Sequence, residues 1–255
     1  MEKIQVNSIS LAYERRGTGT PLVLVHGFPL DHSSWQPFLA HLEPDFDLLL
    51  PDLRGFGQSD APAGAYTVAQ MAADLAALLD KLAIRQTCIV GHSMGGYVTL
   101  AFARAYPERV LGMGLIGSQA APDSAERKTG RVTSARQVEL EGVGALAGMA
   151  EKLSANPNLA PFFREIILRQ RAQGMIGALG AMAERPDGTA ALAAAQPALV
   201  LVHGLEDALI PVERSREMKA LRPQALYIEL PGVGHSPALE APYETAQALR
   251  TLRRA

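Results

Sequence analysis

Six short runs in this 255-residue chain are apolar without the every-second-residue alternation of a half-wet strand: Leu22–Val25, Leu48–Leu50, Cys88–Val90, Val110–Ile116, Leu199–Val202 and Leu226–Ile228. Strands of that kind are buried on both faces, as in a parallel sheet covered by helices on either side. Helical patterns stand between the runs. The clearest places Val68, Met71, Ala72, Leu75, Leu78, Leu79 and Leu82 at 3/4 spacing, which gives one apolar stripe. Gly95–Tyr106, Glu213–Leu221 and Tyr243–Arg253 read similarly. Strand and helix in alternation predict an α/β fold with crossover helices on both faces of the sheet. Ile4–Arg15 reads instead as two short strands around Asn7-Ser8, an antiparallel edge that brings the sheet to eight strands.

The alternation lapses from about Ala120 to Ala194, where no strand is evident. Helical segments are expected there around Arg131–Val138, Val143–Leu153, Pro161–Gln173 and Met175–Ala183. The predicted organisation is therefore a core of residues 1–119 and 195–255, with a helical cap of residues 120–194 inserted between the sixth and seventh strands.

Composition removes several classes of function. Hydrophobic residues make up 48% and charged residues 20%, which excludes a disordered chain. A net charge of −2 recommends neither nucleic acid nor an anionic membrane as a partner. No stretch approaches the roughly 20 apolar residues of a membrane span, and Met1–Ser8 lacks the apolar core of a signal peptide. The single cysteine, Cys88, excludes an internal disulfide, and its β-type setting points to a buried, inert thiol. These features lead us to expect a soluble, cytoplasmic protein.

The chemistry is concentrated in Gly91-His92-Ser93-Met94-Gly95-Gly96, a G-x-S-x-G pattern between the run ending at Val90 and the Gly95–Tyr106 helix. A sharp strand-to-helix turn lifts the serine hydroxyl above the sheet edge. Side chains two positions before and after would collide, so Gly91 and Gly95 are required. A serine hydroxyl needs a base, and the base needs an orienting acid. On such an elbow the acid and then the histidine follow the serine in the chain, and of six histidines only His203 and His235 do. His235 lies in a loop after the run ending at Leu230, where it can swing over the sheet edge. Glu206 and Asp207 follow the preceding strand, whereas the loop after Val110–Ile116 offers no acid before Asp123. Asp207 and His235 are the leading pair. An oxyanion would be met by the N–H of Met94 and by the N–H of Phe28 in His26-Gly27-Phe28-Pro29. His26 precedes Ser93 and is read as structural.

Across nearly its whole length the sequence resembles the α/β-hydrolases. His26–Pro29, Asp52-Leu53-Arg54-Gly55-Phe56-Gly57-Gln58-Ser59-Asp60, Gly91–Gly96, Gly204–Asp207 and Gly234-His235 match motifs of that family in order. The resemblance implies Ser93 as nucleophile, His235 as base, Asp207 as its partner, and Phe28 and Met94 as oxyanion donors, with no cofactor or metal. It is similar to the small serine esterases, enol-lactone hydrolases and perhydrolases. The expected reaction is hydrolysis of a small, largely apolar ester or lactone, with a C–C hydrolase, a perhydrolase or a slow ligand receptor as alternatives. A serine at position 93 speaks against family members whose nucleophile is an aspartate. Arg54 and Asp60 are read as bracing their own loop. The large apolar residues of the cap, among them Phe162, Phe163 and Met182, either line a substrate pocket or pack the cap onto the sheet.

Overall fold

In the computed structural model, which describes residues 1–254, the unalternating runs form the middle of one eight-stranded sheet. Its strands are β1 (Glu2–Val6), β2 (Ile9–Gly17), β3 (Thr20–Val25), β4 (Phe46–Pro51), β5 (Thr87–His92), β6 (Val110–Ile116), β7 (Ala198–Gly204) and β8 (Leu226–Leu230). Their order is β1-β2-β4-β3-β5-β6-β7-β8. β2 runs antiparallel to β1 and β4, and every other pair is parallel. Asn7 and Ser8 form the tight turn at the antiparallel edge, both with positive φ (45° and 67°), as a two-residue hairpin turn requires.

The lack of alternation has a direct physical counterpart. Val23, Val25, Leu49 and Ile89 point into one apolar cluster. Their neighbours Leu22, Leu24, Leu48, Cys88 and Val90 point into a second on the opposite face. The helices are α1 (Val68–Lys81), α2 (Met94–Ala105), α3 (Ala125–Glu141), α4 (Ala160–Leu168), α5 (Ala172–Ala183), α6 (Thr189–Ala194), α7 (Glu213–Leu221), α8 (Pro237–Glu240) and α9 (Pro242–Arg250). α1, α2 and α7 supply the first cluster, through residues such as Leu75, Val98 and Met218. α9 and the 3-10 helix His32–His41 close the second, through Leu249, Trp35 and Phe38. α1 opens with a capping box in which Thr67 and Gln70 satisfy each other's backbone N–H groups.

Between β6 and β7 the described residues contain helices and no strand. Four details differ from the periodicity. α3 runs the full length of Ala125–Glu141, although only Val138 is buried, so most of it carries no apolar stripe to read. Val143–Lys152 is a 3-10 helix that starts after Gly142 at φ 77°. Pro161–Gln173 is not one helix but most of α4 followed by the start of α5. Arg169, Gln170 and Arg171 leave the helical path there to bond the loops after β3 and β4. α6 packs on α2 and α7, beside the sheet rather than over its end.

Candidate active site

The segment Ser154–Gly177 lies over the loops that follow β3, β4 and β8, at the carboxyl ends of the parallel strands. Asp31, after β3, accepts from Arg169 Nε at 3.0 Å, Arg169 Nη2 at 2.9 Å and Gln170 Nε2 at 2.8 Å. Gln170 Oε1 accepts from Gly57 N at 2.9 Å, and Arg171 donates to the Ser59 carbonyl. Tyr66 donates its hydroxyl to the Gly174 carbonyl at 2.7 Å. Burial works against the charge of Asp31, but the bonds from Arg169, Ser33 and Gln170 outweigh it and bring its pKa down to about 2.

Beneath this cover, β5 leads into Ser93, whose backbone sits at φ 53°, ψ −115°. A non-glycine residue in that region carries strain of order ~1–3 kcal/mol. The elbow is held by Ser93 N donating to the Ile116 carbonyl at 2.9 Å and by Ser118 Oγ donating to the Ser93 carbonyl at 2.8 Å. A Cβ on Gly91 would strike the Gly95 carbonyl, and one on Gly95 would strike the Val25 carbonyl, so both glycines are steric requirements. The serine side chain makes no cap to α2. The first turn of that helix therefore presents its N–H groups and positive dipole end where Ser93 stands.

The fold brings His235 and Asp207 together. His235 Nδ1 donates to Asp207 Oδ2 at 2.7 Å. Asp207 Oδ1 accepts from Leu209 N at 2.8 Å and Ile210 N at 2.9 Å. Burial alone would raise the Asp207 carboxyl, but the His235 and His203 imidazoles and these backbone donors hold it well below the usual carboxylate range. Glu206, by contrast, is exposed. His235 is fully buried, and its Nε2 makes no hydrogen bond, so the bond to Ser93 is not closed. Phe28 and Met94 are both buried, at the end of β3 and the start of α2.

The remaining candidates are braces. His26 donates from Nδ1 to the Gly27 carbonyl at 2.9 Å and accepts at Nε2 from Leu53 N at 3.0 Å, tying the β3 loop to the β4 loop. Arg54 makes a two-pronged ion pair with Asp74 on α1 at 2.6 and 2.8 Å, and Asp60 Oδ2 accepts from Ser10 N at 2.7 Å. Asp52 holds the His32 ring at 2.7 Å and the Gln58 N–H at 2.8 Å. Cys88 is fully buried, and burial pushes its thiol up to about 12.

Besides Ser118, two contributors carry no readable signal in the sequence. His92 occupies a variable position of the elbow motif, yet its Nε2 donates to the His235 carbonyl at 2.8 Å and fixes the histidine loop. Burial, reinforced by the facing His235 ring, pushes the His92 imidazole down to about 3. Glu240, at the end of α8, accepts from Gly234 N at 3.0 Å and Ser236 N at 3.1 Å on either side of His235, and from Ala155 N at 2.8 Å in the overlying segment. Its spacing from His235 matches no catalytic pattern, since it acts on backbone.

A family described as having the alpha/beta hydrolase fold matches residues 20–242. The chain belongs to this α/β-hydrolase family and is a hydrolase. A thermophilic esterase from Thermogutta terrifontis, solved with malate bound, is 37% identical, with a TM-score of 0.94 over 100% of this chain and 98% of that one. The enol-lactonase of Burkholderia xenovorans LB400 shares the fold at TM-score 0.92 over the whole of both chains, with 24% identity. A putative non-heme chloroperoxidase of Synechocystis sp. is 42% identical over 105 residues, a match that spans 40% of this chain and 38% of that protein. Among the described residues, no helix is long and apolar enough to cross a membrane.

Proposed function

We propose that the protein is a serine hydrolase that cleaves small, largely apolar carboxylic esters or lactones through an acyl-enzyme intermediate. What supports this reading above all is the state of His235: Nδ1 is bonded to a buried carboxylate, and Nε2 is buried without a partner. A base in that arrangement is fixed in one tautomer, with Nε2 free to take a proton from Ser93. Ser93 Oγ attacks the substrate carbonyl and passes its proton to His235 Nε2. Phe28 N–H and Met94 N–H hold the oxyanion. The tetrahedral adduct collapses as His235 returns the proton to the leaving alcohol. Water then attacks the acyl-serine and gives a proton to His235, and the second adduct collapses as His235 returns that proton to Ser93 Oγ, which releases the acid and the free serine. Each step uses groups of this chain and water.

The helices between β6 and β7 act in this reading as a cap that sets substrate choice. Phe163 shares a small cleft with Leu30, Trp35, His92 and Leu239, which are mostly apolar walls next to the histidine loop. The test is turnover of nitrophenyl esters of rising acyl length, with several lactones, by the parent and by Ser93→Ala. Rapid nitrophenol release by the parent and none by the variant is expected. Equal release by both refutes the reading.

A further inference from the structure

His203 follows Ser93 in the chain and so meets the order expected of a base, yet it is His235 that bonds Asp207 through Nδ1. His203 stands at the end of β7, fully buried, with both ring nitrogens engaged. Its Nε2 lies 2.8 Å from the Ile210 carbonyl. A carbonyl oxygen can only accept, so Nε2 carries the hydrogen. The same Nε2 is 3.3 Å from Asp207 Oδ2, a longer second arm towards the oxygen that also receives His235. On the other side of the ring, Nδ1 meets the hydroxyl of Ser215 on α7 at 2.5 Å, and Ser215 is itself buried. With the hydrogen on Nε2, Nδ1 of the neutral ring accepts from the Ser215 hydroxyl, which supports the tautomer that the Ile210 carbonyl fixes.

We propose that His203 is a positioning residue of the reaction, acting through Asp207 rather than on substrate. This role rests on the serine-hydrolase reading above. The Ser215–His203 pair does two things at once. Through the Ile210 carbonyl it closes the turn Leu205–Ile210 back onto β7, so the two backbone donors at Leu209 and Ile210 stay aimed at Asp207 Oδ1. Through its second arm it places a polar hydrogen beside Oδ2, which fixes the carboxylate plane against His235 Nδ1. Without it the carboxylate keeps its charge but loses one of the supports that set its rotation. His235 would then present Nε2 to Ser93 less accurately. A displacement of about 1 Å in such a constellation costs on the order of 100-fold in rate while leaving substrate affinity alone.

The experiment compares the full-length parent, His203→Leu, His203→Gln and Ser215→Ala in two assays: steady-state turnover of a nitrophenyl ester, and the rate at which a fluorophosphonate labels Ser93. Far-ultraviolet circular dichroism and thermal melting report the fold. Leucine removes the donor while retaining apolar bulk. Glutamine can return an N–H close to the Nε2 position. Ser215→Ala keeps the imidazole and removes only the hydrogen bond that holds its Nδ1 edge, so it carries the test should the leucine variant fail to fold. We expect kcat to fall roughly 10–100-fold in His203→Leu and several-fold in Ser215→Ala, with KM unchanged and labelling slowed in parallel. His203→Gln should recover most of the rate. A purely structural role would lower the melting temperature without dividing kcat from KM and without rescue by glutamine. Parental kcat and labelling in folded His203→Leu or Ser215→Ala overturn the positioning role. A parent enzyme that does not label at Ser93 overturns the hydrolase reading and this role with it.

Discussion

At the scale of single residues, it is Asp207 rather than its neighbour Glu206 that reaches the imidazole of His235. Asp207 is bonded to His235 at 2.7 Å, while Glu206 is exposed. Ser93→Ala and His235→Ala should each lower kcat by roughly 10⁴–10⁶, and Asp207→Asn by somewhat less, as the orienting member of such a set usually does. Glu206→Gln should stay near the parent in the same ester assay. A damaging Glu206→Gln beside a mild Asp207→Asn would reverse the assignment. His92 gives a second test, on stability. Its imidazole is held down to about 3 in the folded chain, against an ordinary value of 6.5. Between about pH 6.5 and 3 the unfolded chain therefore binds the extra proton, and stability is lost as the pH falls through that window. The melting temperature should drop between pH 7 and 4, and His92→Gln, which can still donate to the His235 carbonyl, should drop less. Equal slopes would show that His92 is not the group responsible.

Elements were legible where burial imposes a pattern. The parallel strands are apolar on both faces because helices cover both, and the stripe of α1 is plain because Met71, Leu75, Leu78 and Leu79 are all buried. Legibility fails where polar contacts set the course of the chain. α3 buries only Val138, and the break between α4 and α5 exists because Arg169, Gln170 and Arg171 are committed to the β3 and β4 loops. The site divides in the same way. The candidates Ser93, Asp207 and His235 are marked by the G-x-S-x-G motif, by chain order and by their places after strands, whereas His92, Glu240 and Ser118 act on carbonyls and N–H groups that no side-chain motif records. The cap reading makes its own prediction at this scale. Phe163 is buried beside His92 and Trp35, while Phe162 is only half-buried. Replacement of Phe163 by alanine would cost ~3–5 kcal/mol of packing. Phe163→Leu is the gentler probe. It should shift the preferred acyl length in the ester panel, because a methylene in such a pocket is worth roughly 1–3 kcal/mol of discrimination. Phe162→Ala should shift it less. An unchanged profile in Phe163→Leu would remove the cap from specificity.

For the molecule as a whole, the first apolar cluster runs without interruption from β3 and α1 into the helices between β6 and β7, through Leu146, Phe163, Ile166 and Met182. Shared burial of this kind couples the overlying helices to the sheet in one cooperative unit. Urea unfolding followed by the fluorescence of Trp35, the only tryptophan, should therefore coincide with unfolding followed by circular dichroism. An earlier helical transition would mean that the cap melts on its own. The central claim, that Ser93 carries the acyl group, is tested most directly by peptide mapping after fluorophosphonate treatment of the folded protein. One adduct is expected, on the peptide containing Ser93, absent from Ser93→Ala and formed far more slowly in His235→Ala. An adduct on another serine, or none on the active protein, would contradict it.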